Sequence, residues 1–203
     1  MLEQFHYDGD LLGGSLMVRE SRIIADLLLC QATTEQWLQA IQIENVLQKR
    51  TVASAQRNAS AIRKRLECLG PAFWKALRDG DDELATQVAF CGTLERNILL
   101  VEFMETVLRE AYISQTEQLA NYVWLDFLEE RSYRDQGINE WKESSKKKMG
   151  QVVFRILTEA GYLNSTRKMK LQRVIIRAEL RMLLEEYYKK RTKKCMEVSI
   201  WLR

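Results

Sequence analysis

The feature that most constrains this chain is the run over residues 51–69, TVASAQRNASAIRKRLECL. Its apolar positions are Val52, Ala55, Ala59, Ile62, Leu66 and Leu69, spaced three or four apart. That spacing belongs to one face of a helix and excludes a strand, whose period is two. Thr51 is placed to cap the start. Gly70-Pro71 reads as a stop, glycine for a left-handed C-cap and proline because it cannot continue the helix. At about 100° per residue, Arg50, Ser54, Arg57, Ala61 and Lys64 fall opposite the apolar stripe. No acid occurs between Glu44 and Glu67, while Lys49, Arg50, Arg57, Arg63, Lys64 and Arg65 are all basic. An ordinary solvated helix face mixes both signs, so this one is either an unusual surface or a phosphate-binding one.

The neighbouring sequence extends the helical reading. Ser15 is a candidate cap for a helix to about Gln31 that buries Leu16, Ile23, Ile24, Leu27 and Leu28. Thr33 and Gln36 have capping-box spacing and open a second helix carrying Trp37, Leu38 and Ile41. Three helices with a basic third are the pattern of a helix-turn-helix unit, and also of tri-helical bundles that bind no DNA. After Pro71 a short helix runs to the turn at Asp79-Gly80-Asp81, and helices follow at about 82–91, 93–114 and 117–134. In the last of these Tyr122, Trp124 and Phe127 stand with Leu119, Leu125 and Leu128 at helical spacing, as core rather than as a ligand platform.

A second basic helix starts near Ser144 or Ser145 and ends near Gly161. It buries Met149, Val152, Val153, Ile156, Leu157 and Ala160 and turns Lys147, Lys148, Gln151 and Arg155 the other way. Residues 168–176 are rich in Val and Ile and alternate imperfectly, which reads as a strand or hairpin. With Arg167, Lys168 and Lys170, that ribbon resembles the wing of a winged helix; the other reading is a small cap whose ribbon only packs. A last helix over about 178–194 precedes a tail, CMEVSIWLR, whose alternation at Met196, Val198, Ile200 and Leu202 suggests one more strand. The expected fold is therefore mainly α, with an N-terminal helix-turn-helix-like three-helix unit, a central helical bundle and a C-terminal winged-helix-like unit with a short β-hairpin.

Charge divides the chain into the same three regions. Residues 1–78 carry 10 bases and 8 acids, residues 79–143 carry 5 and 15, and residues 144–203 carry 16 and 5. The net +3 thus hides a strongly acidic centre and a strongly basic end, which points to a polyanionic partner. Cys30, Cys68, Cys91 and Cys195 form no C-x-x-C pair, and Cys30 and Cys68 lie in apolar stretches as expected buried thiols. No run approaches 18 apolar residues and the first residues lack a basic signal-peptide start, so a cytoplasmic protein without a membrane partner is expected.

Catalytic signatures are missing. His6 is the single histidine, and phosphate-loop, dinucleotide and nucleophile-elbow motifs are absent. Asp79, Asp81, Asp82 and Glu83 are acids at a helix start, where they oppose the helix dipole without any metal. The expectation is a non-enzyme with no catalytic residue, no metal, no cofactor and no small-molecule substrate.

The strings GGSLMVRESRIIADLLL, NVLQKRTVASAQRNASAIRKRLE, FWKALRDGDDELATQ, FLEERSYRD and GQVVFRILTEAGYL make the chain resemble the BrxA family over roughly residues 8–180. That family is the small helical component of BREX bacteriophage-exclusion systems. The resemblance implies a non-enzymatic helical protein of phage defence that binds double-stranded DNA and works beside other BREX proteins. The lysine-rich end from about Lys189 goes beyond the family pattern. The residues expected at DNA are Arg50, Ser54, Arg57, Lys64, Lys147, Lys148, Gln151, Arg155, Arg167, Lys168 and Lys170, mainly through phosphates and with low sequence specificity. The competing expectation is a protein–protein adaptor or scaffold within the BREX complex that makes no DNA contact; RNA is a third possible partner.

Overall fold

The computed structural model describes residues 6–8, 11 and 14–201. The chain is mainly helical, and no residue among those described belongs to a named strand. The described residues form two compact units. One is drawn from residues 16–96 and 176–193, the other from 1–15, 97–175 and 194–203. All three charge regions contribute to both units.

The first unit is organised around α5 (Asp82–Arg96). Leu84, Ala85 and every residue from Gln87 to Leu94 are buried, because a helix apolar on all sides needs neighbours on all sides. Those neighbours are α1 (Val18–Leu29), α3 (Val52–Glu67), α4 (Pro71–Asp79) and α10 (Ala178–Glu186). Gly92 permits a close approach by α3: a Cβ there would stand 3.1 Å from the Arg65 carbonyl oxygen. Arg22 of α1 donates through Nη1 to the carbonyls of Leu77 (3.1 Å), Arg78 (2.8 Å) and Gly80 (2.7 Å). A cation thus satisfies the open C-terminal end of α4.

Local signals account for several helix starts. Thr51 accepts the Ser54 amide, and Thr33 and Gln36 form the complete capping box of α2 (Thr34–Leu38). α2 continues through a π turn, Gln39–Ile43. Ala55, Ala59, Ile62 and Leu66 of α3 are each at most 1% exposed, as their spacing requires. Val52 departs from the stripe at 50% exposure, since it belongs to the first turn, ahead of the packed part of the helix. Gly70 is not a left-handed cap; its φ of −125° is extended, and it precedes Pro71 at the first position of α4. Ser15 is not the N-cap: α1 begins after Met17, whose φ is 52°.

The second unit contains α6 (Ile98–Phe103), a π turn at Met104–Leu108, α7 (Arg109–Ile113), α8 (Val123–Ser132) and α9 (Glu143–Glu159). Its core holds an aromatic cluster in which Phe103 meets Trp124, Phe127 and Phe154 at centroid distances of 5.4, 5.3 and 6.3 Å. Tyr122 stays outside that core, 63% exposed, because α8 begins one residue later. His6 and Tyr7 are fastened here. His6 Nδ1 lies 3.0 Å from Asp135 Oδ1, and the Tyr7 amide donates to Asp135 Oδ2 at 2.7 Å. The Tyr7 hydroxyl donates to the buried Glu102 at 2.7 Å. Arg134 donates to the same carboxylate at 2.9 Å, while Arg131 Nε stands 3.0 Å away as an ion pair without hydrogen-bond alignment.

Two expected β elements are helices, turns or isolated bridges instead. Residues 168–176 make only single antiparallel bridges, Leu163 with Leu171 and Gln118 with Lys170. Beyond them the backbone groups find other partners. The Val174 amide donates to Ser199 Oγ, and that hydroxyl donates back to the Val174 carbonyl, both at 2.9 Å. A side chain thereby occupies the ladder positions that a second strand would need. The tail forms α11 (Lys190–Met196) and a 3₁₀ turn, Val198–Trp201, while Leu202 lies outside the described residues. The expected last helix is divided at Tyr188, with φ 55°. Cys30 is exposed and Cys68 half-buried, whereas Cys91 and Cys195 are the buried thiols.

Candidate nucleic-acid interface

α9 follows its sequence pattern closely. Met149, Val153, Ile156 and Leu157 are buried, while Lys147, Lys148, Gln151 and Arg155 are exposed. Lys147, Gln151 and Arg155 succeed one another at four-residue intervals, so they form one row along the helix. Gly150 sits mid-helix, where glycine costs about 1 kcal/mol relative to alanine. The reason is Trp124 of α8, whose indole occupies the space a side chain at 150 would need and donates from Nε1 to the Lys146 carbonyl at 3.0 Å.

The exit from α9 brings the next basic residues alongside. Gly161 takes φ +84°, with its amide donating to the Thr158 carbonyl and the Tyr162 amide to that of Leu157. This is a Schellman stop, for which glycine is suited because it lacks a Cβ. The following loop is closed by the Asn164 side chain, which accepts the Lys170 amide at 3.0 Å, and by Ser165 Oγ, which accepts the Lys168 amide at 3.1 Å. Buried tyrosines hold its base: Tyr112 donates to the Gln172 carbonyl at 2.7 Å and Tyr162 to the Met196 carbonyl at 2.6 Å. The loop and α9 enclose an open cleft of about 550 Å³, lined among others by Lys147, Gln151, Arg155, Asn121 and Thr166.

Part of the charge in this structure is paired. The basic end of the sequence meets the acidic centre: Lys170 pairs with Glu117, Arg177 with Asp81 at 2.7 Å, Lys189 with Glu95 at 2.6 Å, and Lys146 with Glu143 at 2.8 Å. Lys170 is therefore tied to a neighbour, and it holds the Glu117 carboxyl below its ordinary range. Asp81 is likewise lowered, first by accepting the Leu84 amide and then by Arg177. The acids at the start of α5 are thus engaged with arginines, and no group of three or more His, Cys, Asp or Glu among the described residues is placed to hold a metal ion. In contrast Lys147, Lys148, Arg155, Arg167 and Lys168 are exposed and make no ion pair among the described residues.

The basic face of α3 is thinner than its composition. Lys49 pairs with Glu20 at 2.7 Å, and Arg63 pairs with Glu67 at 2.7 Å while lying 4.7 Å over the Trp37 ring. Arg65 is buried. The Ser54 hydroxyl is half-buried and accepts from Thr51 at 3.0 Å. Arg50, Arg57 and Lys64 remain exposed, without an ion pair among the described residues. The predicted residues thus fall into two sets, one on α3 in the first unit and one on α9 and its exit loop in the second. Sequence reasoning missed Asn121 and Thr166. Both are polar loop residues with no periodicity to mark them, and the packing of α8 on α9 brings them to the same cleft. No helix among the described residues is long and apolar enough to cross a membrane.

Comparison with known proteins gives a consistent family. The BrxA family model matches residues 5–187. The chain is 38% identical over 194 residues to the BREX protein BrxA of Paramagnetospirillum magneticum (strain ATCC 700264 / AMB-1), covering 96% of this chain and 98% of that protein. It is 32% identical over 177 residues to the BREX protein BrxA of Escherichia coli O9:H4 (strain HS), covering 87% and 83%. A crystal structure of an uncharacterized protein from Magnetospirillum magneticum superposes with a TM-score of 0.88 at 36% identity, over 95% of this chain and 99% of that one.

Proposed function

This chain belongs to the BrxA family, and from that premise we propose that it is a non-enzymatic, double-stranded-DNA-binding accessory protein of a bacterial BREX phage-defence system. The observation that carries the reading is a cluster of exposed cations that make no ion pair among the described residues. Many basic side chains have an acidic partner, but Lys147, Lys148, Arg155, Arg167 and Lys168 are left open to solvent around one helix and its exit loop. Clustered cations neutralise phosphates and release counterions, which is the main source of sequence-independent affinity. α9, 17 residues and so about 25 Å long, is suited to a groove, with the loop along the adjacent backbone in a winged-helix-like manner. α3 offers a second, helix-turn-helix-like face through Arg50, Arg57 and Lys64. Gln151 and Ser54 are the few side chains suited to base edges, so specificity is low; Lys170 contributes less because Glu117 occupies it.

The test is a mobility-shift titration with duplex DNA, single-stranded DNA and duplex RNA at two salt concentrations. About five neutralised phosphates would give a slope near −4 to −5 in log K against log salt. Binding that ignores salt, or its absence, refutes the proposal. A second reading is an adaptor within the BREX assembly, for which Met182 and Tyr188, exposed at 69% and 80%, offer an apolar contact surface. Co-purification with other BREX proteins in the absence of any DNA affinity would favour that reading.

A further inference from the structure

We infer that the cleft beside α9 holds one unstacked nucleotide, with its phosphate at Lys147 or Arg155 and its base between Gln151, Asn121 and Thr166. The inference rests on the DNA reading above and names what the site would prefer. Binding phosphates along a duplex needs only a convex row of cations, so an opening of about 550 Å³ behind that row calls for a separate explanation. Its size falls within the range of small-ligand sites. Its chemistry is that of a nucleotide in three respects. Lys147 and Arg155 stand at both ends of the row, eight residues and about 12 Å apart, and no carboxylate lines the cleft. Gln151, Asn121 and Thr166 are exposed, and their side chains make no hydrogen bond among the described residues; each amide can both donate and accept, as base edges do. Beneath it Phe154 and Trp124 are buried and backed by the aromatic cluster, with Trp124 fixed by its bond to Lys146, so the cleft has a rigid base.

Two other openings of this unit among the described residues lack that combination. The cleft of about 450 Å³ at Arg109 and Lys194 carries Glu105 and Glu197, and the one at His6 carries Asp135 and Glu140. Carboxylates there repel a phosphate. Because amides serve any base edge, the preference is for an unpaired nucleotide and not for a sequence. Extracting a base from an intact stack is unfavourable, so a duplex that already holds an unpaired nucleotide gains most.

The test compares a fully paired DNA duplex, the same duplex with one bulged nucleotide, and deoxyadenosine monophosphate alone, by anisotropy or competition at fixed salt. The wild-type protein is expected to prefer the bulged duplex about tenfold. Thr166→Trp, which fills the cleft from an exposed position, and Gln151→Ala are each expected to bring the ratio of the two affinities toward one, in proteins shown by melting to be folded. The readout is the ratio within each protein, so a uniform change in phosphate contact cancels. Equal affinity of the wild type for both duplexes overturns the nucleotide cleft and leaves DNA binding standing, as does a preference that survives in both variants. Loss of all binding, the mononucleotide included, overturns both readings. Mononucleotide binding that Thr166→Trp abolishes, with neither duplex bound, assigns the cleft to a free nucleotide.

Discussion

Trp124 and Gly150 share one volume: a Cβ at position 150 would stand 2.6 Å from Trp124 Cδ1 and 3.0 Å from Cγ. The indole is 1% exposed and held by the Lys146 carbonyl and by Phe103, Phe127 and α9 itself, so it has nowhere to retreat. Gly150→Ala is expected to destabilise the protein by about 1–3 kcal/mol even though alanine favours a helix, because overpacking outweighs propensity. Gly150→Val should cost more. Urea unfolding monitored by far-UV circular dichroism measures both, and a rise in midpoint for Gly150→Ala would contradict the packing described.

The two faces of α3 make a second comparison. Ile62→Ala empties a site that is 1% exposed and should cost about 2–5 kcal/mol. Arg57→Ala removes an exposed side chain and should stay within about 0.5 kcal/mol of wild type. Val52→Ala belongs with the second despite its place in the apolar spacing, since Val52 is half exposed. Similar losses for Ile62→Ala and Arg57→Ala would mean that the helix faces the other way.

Glu102 is 8% exposed and serves Tyr7, Arg131 and Arg134 at once. Glu102→Ala leaves these partners without their acceptor and should cost about 3–5 kcal/mol, the usual result of removing one member of a buried ion pair. A loss under about 1 kcal/mol in thermal or urea unfolding would show that the cluster is dispensable.

The same cluster makes a signed pH prediction. Burial, then the hydrogen bond to the Glu102 carboxylate, pushes the Tyr7 phenol from its ordinary 10.0 up to about 12. A value raised on folding means that stabilisation is complete below the unfolded value and is lost as pH rises through the folded one. Wild type should therefore exceed Tyr7→Phe in stability at neutral pH, and the gap should narrow between about pH 10 and pH 12. A gap that stays constant across that window would separate Tyr7 ionisation from stability.

Charge reversal should discriminate between the two basic faces. Lys147→Glu/Arg155→Glu is expected to weaken duplex binding more than Arg57→Glu/Lys64→Glu and to flatten the salt slope by about two, one per lost contact. The preference for α9 rests on Arg167 and Lys168 in its exit loop, both exposed. A larger loss from the α3 pair would move the principal contact to that helix, and equal losses would mean that both grip one duplex.

The sequence by itself determined where the helices lie, because their signals are local. The 3.6-residue period of α3 and α9, the Thr33–Gln36 capping box, Thr51 at the start of α3 and Gly161 at the end of α9 act over a single turn. The exposure of Arg57 and Lys64 on α3 and of Lys147, Gln151 and Arg155 on α9 follows directly from that period, whereas Arg50 lies ahead of α3. Tertiary structure alone decided the rest, because it depends on contacts between residues far apart in the chain. Residues 168–176 look like a strand, but Ser199 occupies the Val174 backbone groups that a hairpin partner would take. The +11 of residues 144–203 suggested a broad field, yet Glu95, Asp81 and Glu117 neutralise part of it from up to 96 residues away. Asn121 and Thr166 acquire a role only because Gly150 lets Trp124 approach, which sets α8 close enough to α9 for both to border one cleft. Charge counts and periodicity sum over the chain, whereas pairing and clefts depend on distances that only the packed molecule defines.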